Sequence, residues 1–203
     1  MKKRIFERAA KIKALLMDVD GVLTDGKMYF FPNRDGRVYE CKAFSALDGI
    51  GLRLLPIFGI RTGIITGRES LSTEDRARTM LMSYVYQGFL SKTGPFDEIL
   101  KDLKIRPEEA AYIGDDLTDV PILKRVGLAC APRNALKEVK RISHFVTEKE
   151  GGNGAVREVC DLLLKSQGYW RRVMEYAGAA CWPKAEKNVL KVVSYSKNRS
   201  GRR

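Results

Sequence analysis

Short apolar runs alternate with helical patterns from residue 12 to about residue 166, and this alternation constrains the fold more than any other feature. The runs cover 12–19, 62–66, 84–86, 110–113, 128–131 and 145–146. Several are apolar throughout, as expected of strands buried on both faces. Helical patterns cover 45–58, 71–82, 95–103, 119–125, 135–141 and 154–165. Pro95 suits the first turn of its helix. A βαβα order of this kind predicts an α/β fold, a doubly wound sheet of mostly parallel strands. One segment breaks the rhythm. Residues 27–42 read KMYFFPNRDGRVYECK, two aromatic or β-branched arms around a turn, which is a β-hairpin signal.

The length of 203 residues suffices for one domain with a full core. No apolar run approaches the roughly 18 residues that span a bilayer. The basic start, MKKRIFERAAKIK, is interrupted by Glu7, Lys11 and Lys13 and makes a poor secretory signal, so a cytoplasmic location is expected. Four scattered cysteines, Cys41, Cys130, Cys160 and Cys181, form no CxxC pair and argue against a disulfide framework or a zinc site. The single histidine, His144, reads as structural. The net charge of +12 resembles a nucleic-acid signal, but residues 171–203 hold nine Lys/Arg and two Glu and so carry +7 of it. The expected organisation is a domain over 1–178, with the hairpin inserted at 27–42, and a basic, disordered tail over 179–203. No specific nucleic-acid partner is expected.

Four strand ends carry residues with chemistry. Asp18-Val19-Asp20-Gly21-Val22-Leu23-Thr24-Asp25-Gly26 follows the first strand directly, where doubly wound sheets bind ligands. Alternation aims Asp18 and Asp20 the same way. Converging carboxylates repel unless a cation neutralises them. Thr66-Gly67-Arg68 ends the second strand. Its hydroxyl and glycine N–H can hold a phosphoryl oxygen, and Arg68 can contact a phosphate or a carboxylate. Lys92 follows the third strand and can neutralise phosphate or orient a carboxylate. Gly114-Asp115-Asp116-Leu117-Thr118-Asp119 ends the fourth, and hard oxygen ligands of this kind suit Mg²⁺. Taken singly, each has a structural alternative: a solvated turn, a surface Arg or Lys, or, for Asp119 above all, a helix cap. Together they supply what phosphate-monoester hydrolysis needs, namely charge neutralisation, positioning and proton transfer.

The ordered set Asp18-x-Asp20, Thr66, Lys92 and Asp115-Asp116 resembles the four motifs of the haloacid dehalogenase superfamily of phosphohydrolases, over residues 15–164. The resemblance implies Asp18 as nucleophile and Asp20 as general acid/base. It implies Mg²⁺ held by the Asp18 carboxylate, the Asp20 carbonyl and Asp115, with Asp116 supporting the metal. Thr66 and Lys92 would hold the phosphoryl group. Only 45 residues separate Asp20 from Thr66 and 25 separate Thr66 from Lys92, so neither interval holds a cap domain.

More local strings narrow the resemblance. They are 18–26, Phe44-Ser45-Ala46-Leu47-Asp48-Gly49-Ile50-Gly51, Thr66-Gly67-Arg68, Tyr86-Gln87-Gly88 and residues 151–160, Gly-Gly-Asn-Gly-Ala-Val-Arg-Glu-Val-Cys. They are similar to the capless 3-deoxy-D-manno-octulosonate 8-phosphate phosphatases of lipopolysaccharide synthesis. Arg68 favours that group over the nonulosonate 9-phosphate phosphatases, which tend to have Glu there. The resemblance implies a small phosphorylated sugar acid as substrate, with Gly67, Arg68, Lys92, Asp48 and Arg157 near it. It also implies a homotetramer whose C-terminal segment reaches a neighbour's active site. The sequence departs from the pattern at Ser91, where Asn or Asp usually precedes the lysine, and after about residue 178, where the family usually ends. A signalling receiver domain shares Asp, Thr, Lys and Mg²⁺, but there the acidic pair comes first, whereas here Asp115-Asp116 follows Lys92. A non-catalytic binder acting through the basic tail, or the same chemistry on another phosphomonoester, are the other readings.

Overall fold

The computed structural model of the chain describes residues 2–183 and 189–196. The elements run α1 (Lys2–Ala9), β1 (Ala14–Met17), β2 (Tyr29–Pro32), β3 (Val38–Cys41), α2 (Ala46–Leu54), β4 (Arg61–Thr66), α3 (Leu71–Thr79), β5 (Tyr84–Gln87), α4 (Thr93–Leu103), β6 (Ala110–Ile113), α5 (Val120–Leu123), β7 (Leu128–Ala131), α6 (Lys137–Ile142), β8 (Phe145–Val146), α7 (Ala155–Ser166), α8 (Trp170–Gly178) and β9 (Lys191–Ser194). Seven strands form one sheet in the order β8-β7-β6-β1-β4-β5-β9, and every pairing in it is parallel. β2 and β3 form the separate antiparallel hairpin. The doubly wound sheet is the one the alternation predicts, and the hairpin is the one the turn signal in 27–42 predicts.

Strand β1 is buried at all four positions, and its side chains divide between two cores. Leu15 and Met17 face a cluster with Leu52 and Leu54 of α2 and Val156, Val159, Leu163 and Leu164 of α7. Leu16 faces the other cluster, with Phe96, Ile99 and Leu100 of α4, Ile122 and Leu123 of α5, and Val139 of α6. This is strand alternation acting on a sheet covered on both faces. β1 lies between β4 and β6, and from it the chain winds outward to either side. That reversal opens the crevice at the carboxyl ends of the strands. Among the described residues no cap domain stands over it, and no helix is long and apolar enough to cross a membrane.

Three elements were not expected. α1 docks where Gln167 donates its side-chain amide to the carbonyls of Ala9 and Ile12, at 3.2 and 2.9 Å. α8 is held by aromatics: the Phe58 and Tyr169 rings stack at 4.6 Å, and the Arg172 guanidinium lies 5.5 Å over Phe58. The third corrects the tail. Residues 184–188 and 197–203 lie outside the described residues, but Lys191–Ser194 adds a parallel strand to the edge of β5. Ser194 bonds Gln87 at 3.1 Å, Lys191 pairs with Glu98 at 2.9 Å, and Tyr195 meets Phe89 edge-on. The β-branched pair Val192-Val193 favours a strand, and the charge count over 179–203 hid it.

The edge strand has a direct check. Backbone amides across 191–194 should exchange with deuterium slowly, on the scale of those in β5. Exchange at the rate of free peptide would remove β9 from the sheet.

Candidate active site

Pairing of Met17 with Ile64 on one side and Ile113 on the other sets Asp18, Thr66 and Asp115 at adjacent strand ends. Thr66 pairs with Gln87, so β5 leads its following turn, with Lys92, to the same edge. Lys92 stands at the N-terminal boundary of α4, and its side chain is 2% exposed. Its ammonium bridges Asp18 Oδ2 at 2.7 Å and Asp119 Oδ1 at 2.7 Å. Asp18 takes the Val19 N–H on its other oxygen, also at 2.7 Å.

Asp119 is fully buried, and every direction of its carboxylate is used. Oδ1 accepts Lys92 and the Tyr112 hydroxyl at 2.8 Å. Oδ2 accepts the N–H groups of Asp115 and Asp116 at 3.0 and 3.2 Å. Asp115 is the opposite case, since its Oδ1 is buried with no hydrogen-bond partner. Two glycines make room for these acids. A Cβ at Gly21, whose φ is +89°, would fall 2.1 Å from Asp115 Oδ2, and one at Gly114 would fall 2.4 Å from the Asp119 Cβ. The Gly151-Gly152 turn packs as closely on the 18–26 loop: a Cβ at Gly151 would meet the Gly21 carbonyl oxygen at 1.8 Å.

Oxygens of Asp18, Asp115 and Asp119 lie within 4.8 Å of one another. Three carboxylates with one lysine leave a formal charge of −2. Burial pushes Asp18 up to about 6; Asp119 adds to the rise and Lys92 opposes it. Burial, then Asp18 and Asp119, pushes Asp115 up to about 8. Burial works against the charge on Lys92, but the two acids outweigh it and raise its pKa. A cluster of hard oxygens with a surplus of two negative charges and an unpartnered buried carboxylate oxygen fits a divalent cation such as Mg²⁺.

The other expected residues fall in three groups. Thr66 is buried, with its hydroxyl accepting the Arg68 N–H at 3.4 Å. Asp20 and Arg68 face the hairpin. Lys42 hydrogen-bonds Asp20, Arg68 hydrogen-bonds Glu40, and Arg68 Nε lies 3.9 Å from Asp20 Oδ2. Asp116, Asp48 and Arg157 are placed elsewhere. Asp116 is exposed, and its carboxylate takes the Leu117 N–H at 2.5 Å as a helix cap. The acid of this turn whose carboxylate joins Asp18 and Asp115 is Asp119, three residues later. Asp48 is 1% exposed and accepts the Arg157 N–H at 2.8 Å, so it ties α2 to the start of α7. The Arg157 guanidinium pairs with Asp161 at 2.7 Å along α7. His144 is structural as read, its Nδ1 accepting the Ala129 N–H at 2.9 Å.

Residues 61–159 match the model of the haloacid dehalogenase-like hydrolases. The 3-deoxy-D-manno-octulosonate 8-phosphate phosphatase of Yersinia pestis is 45% identical over 163 residues, which is 80% of this chain and 85% of that one. The solved structure of the phosphatase of that name from Y. pestis has a TM-score of 0.79 at 43% identity, covering 83% of this chain and 89% of its own. The structure of the Moraxella catarrhalis phosphatase of that name, in complex with a magnesium ion, a phosphate ion and a KDO molecule, has a TM-score of 0.81 at 38% identity. It covers 87% of this chain and 99% of its own.

The charge surplus gives a pH-dependent outcome. With pKa values raised in the fold to about 8 for Asp115 and about 6 for Asp18, against 3.8 ordinarily, the folded chain holds protons that the unfolded chain has released. Without a divalent cation, stability from these acids therefore falls as pH rises from about 4 to about 8. Mg²⁺ at a hundredfold its Kd should restore about 2.7 kcal/mol, a Tm rise of roughly 5–10 °C. The rise should be larger at pH 8 than at pH 6 and absent in Asp115→Asn. A Tm indifferent to Mg²⁺ at both pH values would remove the cation from this cluster.

Proposed function

The chain belongs to the haloacid dehalogenase-like hydrolases, among the 3-deoxy-D-manno-octulosonate 8-phosphate phosphatases, and on that premise we propose how its residues divide the work. The reaction is Mg²⁺-dependent hydrolysis of 3-deoxy-D-manno-octulosonate 8-phosphate to the free sugar acid and phosphate, a step of lipopolysaccharide synthesis in the cytoplasm. The observation that carries the residue roles is the Lys92 bridge between Asp18 and Asp119.

Asp18 is the nucleophile. Lys92 and the Val19 N–H hold its two oxygens, favour its ionised form and fix its direction. Its attack forms an Asp18 oxygen–phosphorus bond and breaks the bond from phosphorus to the sugar oxygen. Asp20 enters the step in its acid form and gives that leaving oxygen its proton. Water then attacks phosphorus, Asp20 takes the water's proton, and the Asp18 carboxylate and free phosphate are regenerated. Thr66, Gly67 and Lys92 hold the phosphoryl oxygens. Asp18 and Asp115, with the Asp20 carbonyl, would hold Mg²⁺, which supplies neutralisation of the converging acids and phosphoryl charge. Asp119, whose oxygens are all occupied, positions Lys92 and the backbone at Asp115 and Asp116. Arg68 meets the substrate's carboxylate.

The assembly is a homotetramer. Phe30, Phe31, Val38 and Tyr39 on the hairpin are 55, 58, 64 and 52% exposed. An apolar ribbon of this kind, with no cap over the site among the described residues, fits burial against a second copy.

Phosphate release by the purified protein tests the chemistry. Octulosonate 8-phosphate should be preferred over a nonulosonate 9-phosphate and over simple sugar phosphates, and chelator should abolish turnover. Asp18→Asn should lower kcat by roughly a thousandfold or more. Full turnover by that variant would exclude Asp18 as nucleophile, whereas preference for another phosphomonoester would keep the chemistry and change the substrate. Light scattering tests the assembly: the tetramer should give way to smaller species when Phe31 and Val38 are both replaced by lysine. A monomeric wild type would sink it.

A further inference from the structure

Glu40 and Lys42 lie two residues apart at the end of β3, and alternation turns both toward the catalytic edge. There they close a ring of four charges with Asp20 and Arg68. The Lys42 ammonium hydrogen-bonds Asp20 and lies 3.1 Å from Glu40 Oε1. The Arg68 guanidinium hydrogen-bonds Glu40 through Oε2 and approaches Asp20. Each acid thus touches both bases. The Lys42 side chain is 2% exposed, deep for a lysine on an otherwise exposed hairpin.

The two acids are seated differently. Asp20 belongs to the tightly built 18–26 loop. Glu40 rides on the hairpin, and its Oε1 is buried without a well-directed hydrogen bond even though Lys42 is close. A guanidinium and an ammonium converging on one carboxylate are what a bound carboxylate ligand requires. In the free chain that place is taken by Glu40.

We propose that Arg68 and Lys42 form a two-cation seat for the carboxylate of the substrate, and that Glu40 fills this seat until the substrate displaces it. The inference rests on the substrate being a phosphorylated sugar acid. Lys42 is then a binding residue, and Glu40 sets how strongly the site selects acids. Two uncovered cations beside a phosphoryl pocket would attract any small anion, inorganic phosphate included. A resident carboxylate excludes weak anions and yields to one whose phosphoryl end is already anchored on Lys92 and Thr66. A neutral sugar phosphate has no group to take Glu40's place and leaves the ring closed.

The test is a selectivity ratio, kcat/KM for octulosonate 8-phosphate divided by kcat/KM for glucose 6-phosphate, which has no carboxylate. Glu40→Gln keeps the side-chain shape and removes the competing charge. It should raise the ratio about fivefold, through a lower KM for the acid. Lys42→Met should lower the ratio by about tenfold. Lys42 also touches Asp20, but loss of proton transfer affects both substrates and divides out. A ratio that does not rise in Glu40→Gln, or does not fall in Lys42→Met, overturns the inference. A wild-type ratio near one overturns the substrate reading instead, whatever the variants do.

Discussion

The Lys92 ammonium, held between Asp18 and Asp119 in the interior, is the interaction on which the site depends. Three carboxylates within 4.8 Å would not assemble around nothing. Lys92 offsets one charge and fixes two of the acids at 2.7 Å each. Asp119 in turn fixes the backbone on which Asp115 stands. The parallel sheet makes this possible by delivering three strand ends within reach of one another, at the point where its winding reverses. Gly21 and Gly114 allow the last ångströms of approach, because any side chain there would collide with the acids. The electrostatic demand of the site is thus written into residues that carry no charge.

Asp18 and Asp20 are two residues apart and live in different electrostatic settings. Asp18 faces the interior, 8% exposed, beside a lysine and within a cluster that keeps a surplus of two negative charges. Asp20 faces the hairpin, in a ring where two acids meet two bases and the formal charge is zero. A nucleophile needs a fixed direction, and the interior supplies it. A proton carrier must face the leaving oxygen and then water, and the more open side supplies that. The two jobs proposed for these carboxylates would thus be separated by the company each keeps.

What the sequence disclosed and what it hid divide along a physical line. The strand runs were legible because burial on both faces demands continuous apolar residues, and the motif acids because they sit where such runs stop. The choice between Asp116 and Asp119 was not legible. Both are acidic, both suit a helix start, and only the turn geometry after Gly114 decides which carboxylate goes inward. Asp115 and Asp119 share a one-turn spacing that could have raised the question. Asp48 looked like a ligand because its neighbours match a family string. In the fold it accepts the Arg157 N–H at the start of α7, a partner 109 residues away that no local pattern discloses. Glu40 and Lys42 read only as parts of a hairpin arm, since nothing local says which partner a strand-end charge will meet 22 or 28 residues away. β9 was hidden by composition: the β-branched pair Val192-Val193 lies within a stretch dominated by charge.

The hairpin joins these threads, because its two sides do different things. Its base is polar and reaches inward, where Glu40 and Lys42 engage Asp20 and Arg68. Its outer surface is aromatic and β-branched and meets solvent in the single chain. A two-stranded ribbon alone is marginally stable in water. Something must hold it in register if Glu40 is to leave and return to one place. The charge ring anchors only one end. Burial of the apolar side against a second copy would anchor the rest, so that the proposed assembly and the proposed carboxylate seat rest on the same element. With no cap among the described residues, the proposed assembly and the proposed seat would leave closing the site and choosing the substrate to one hairpin, held from inside by four charges.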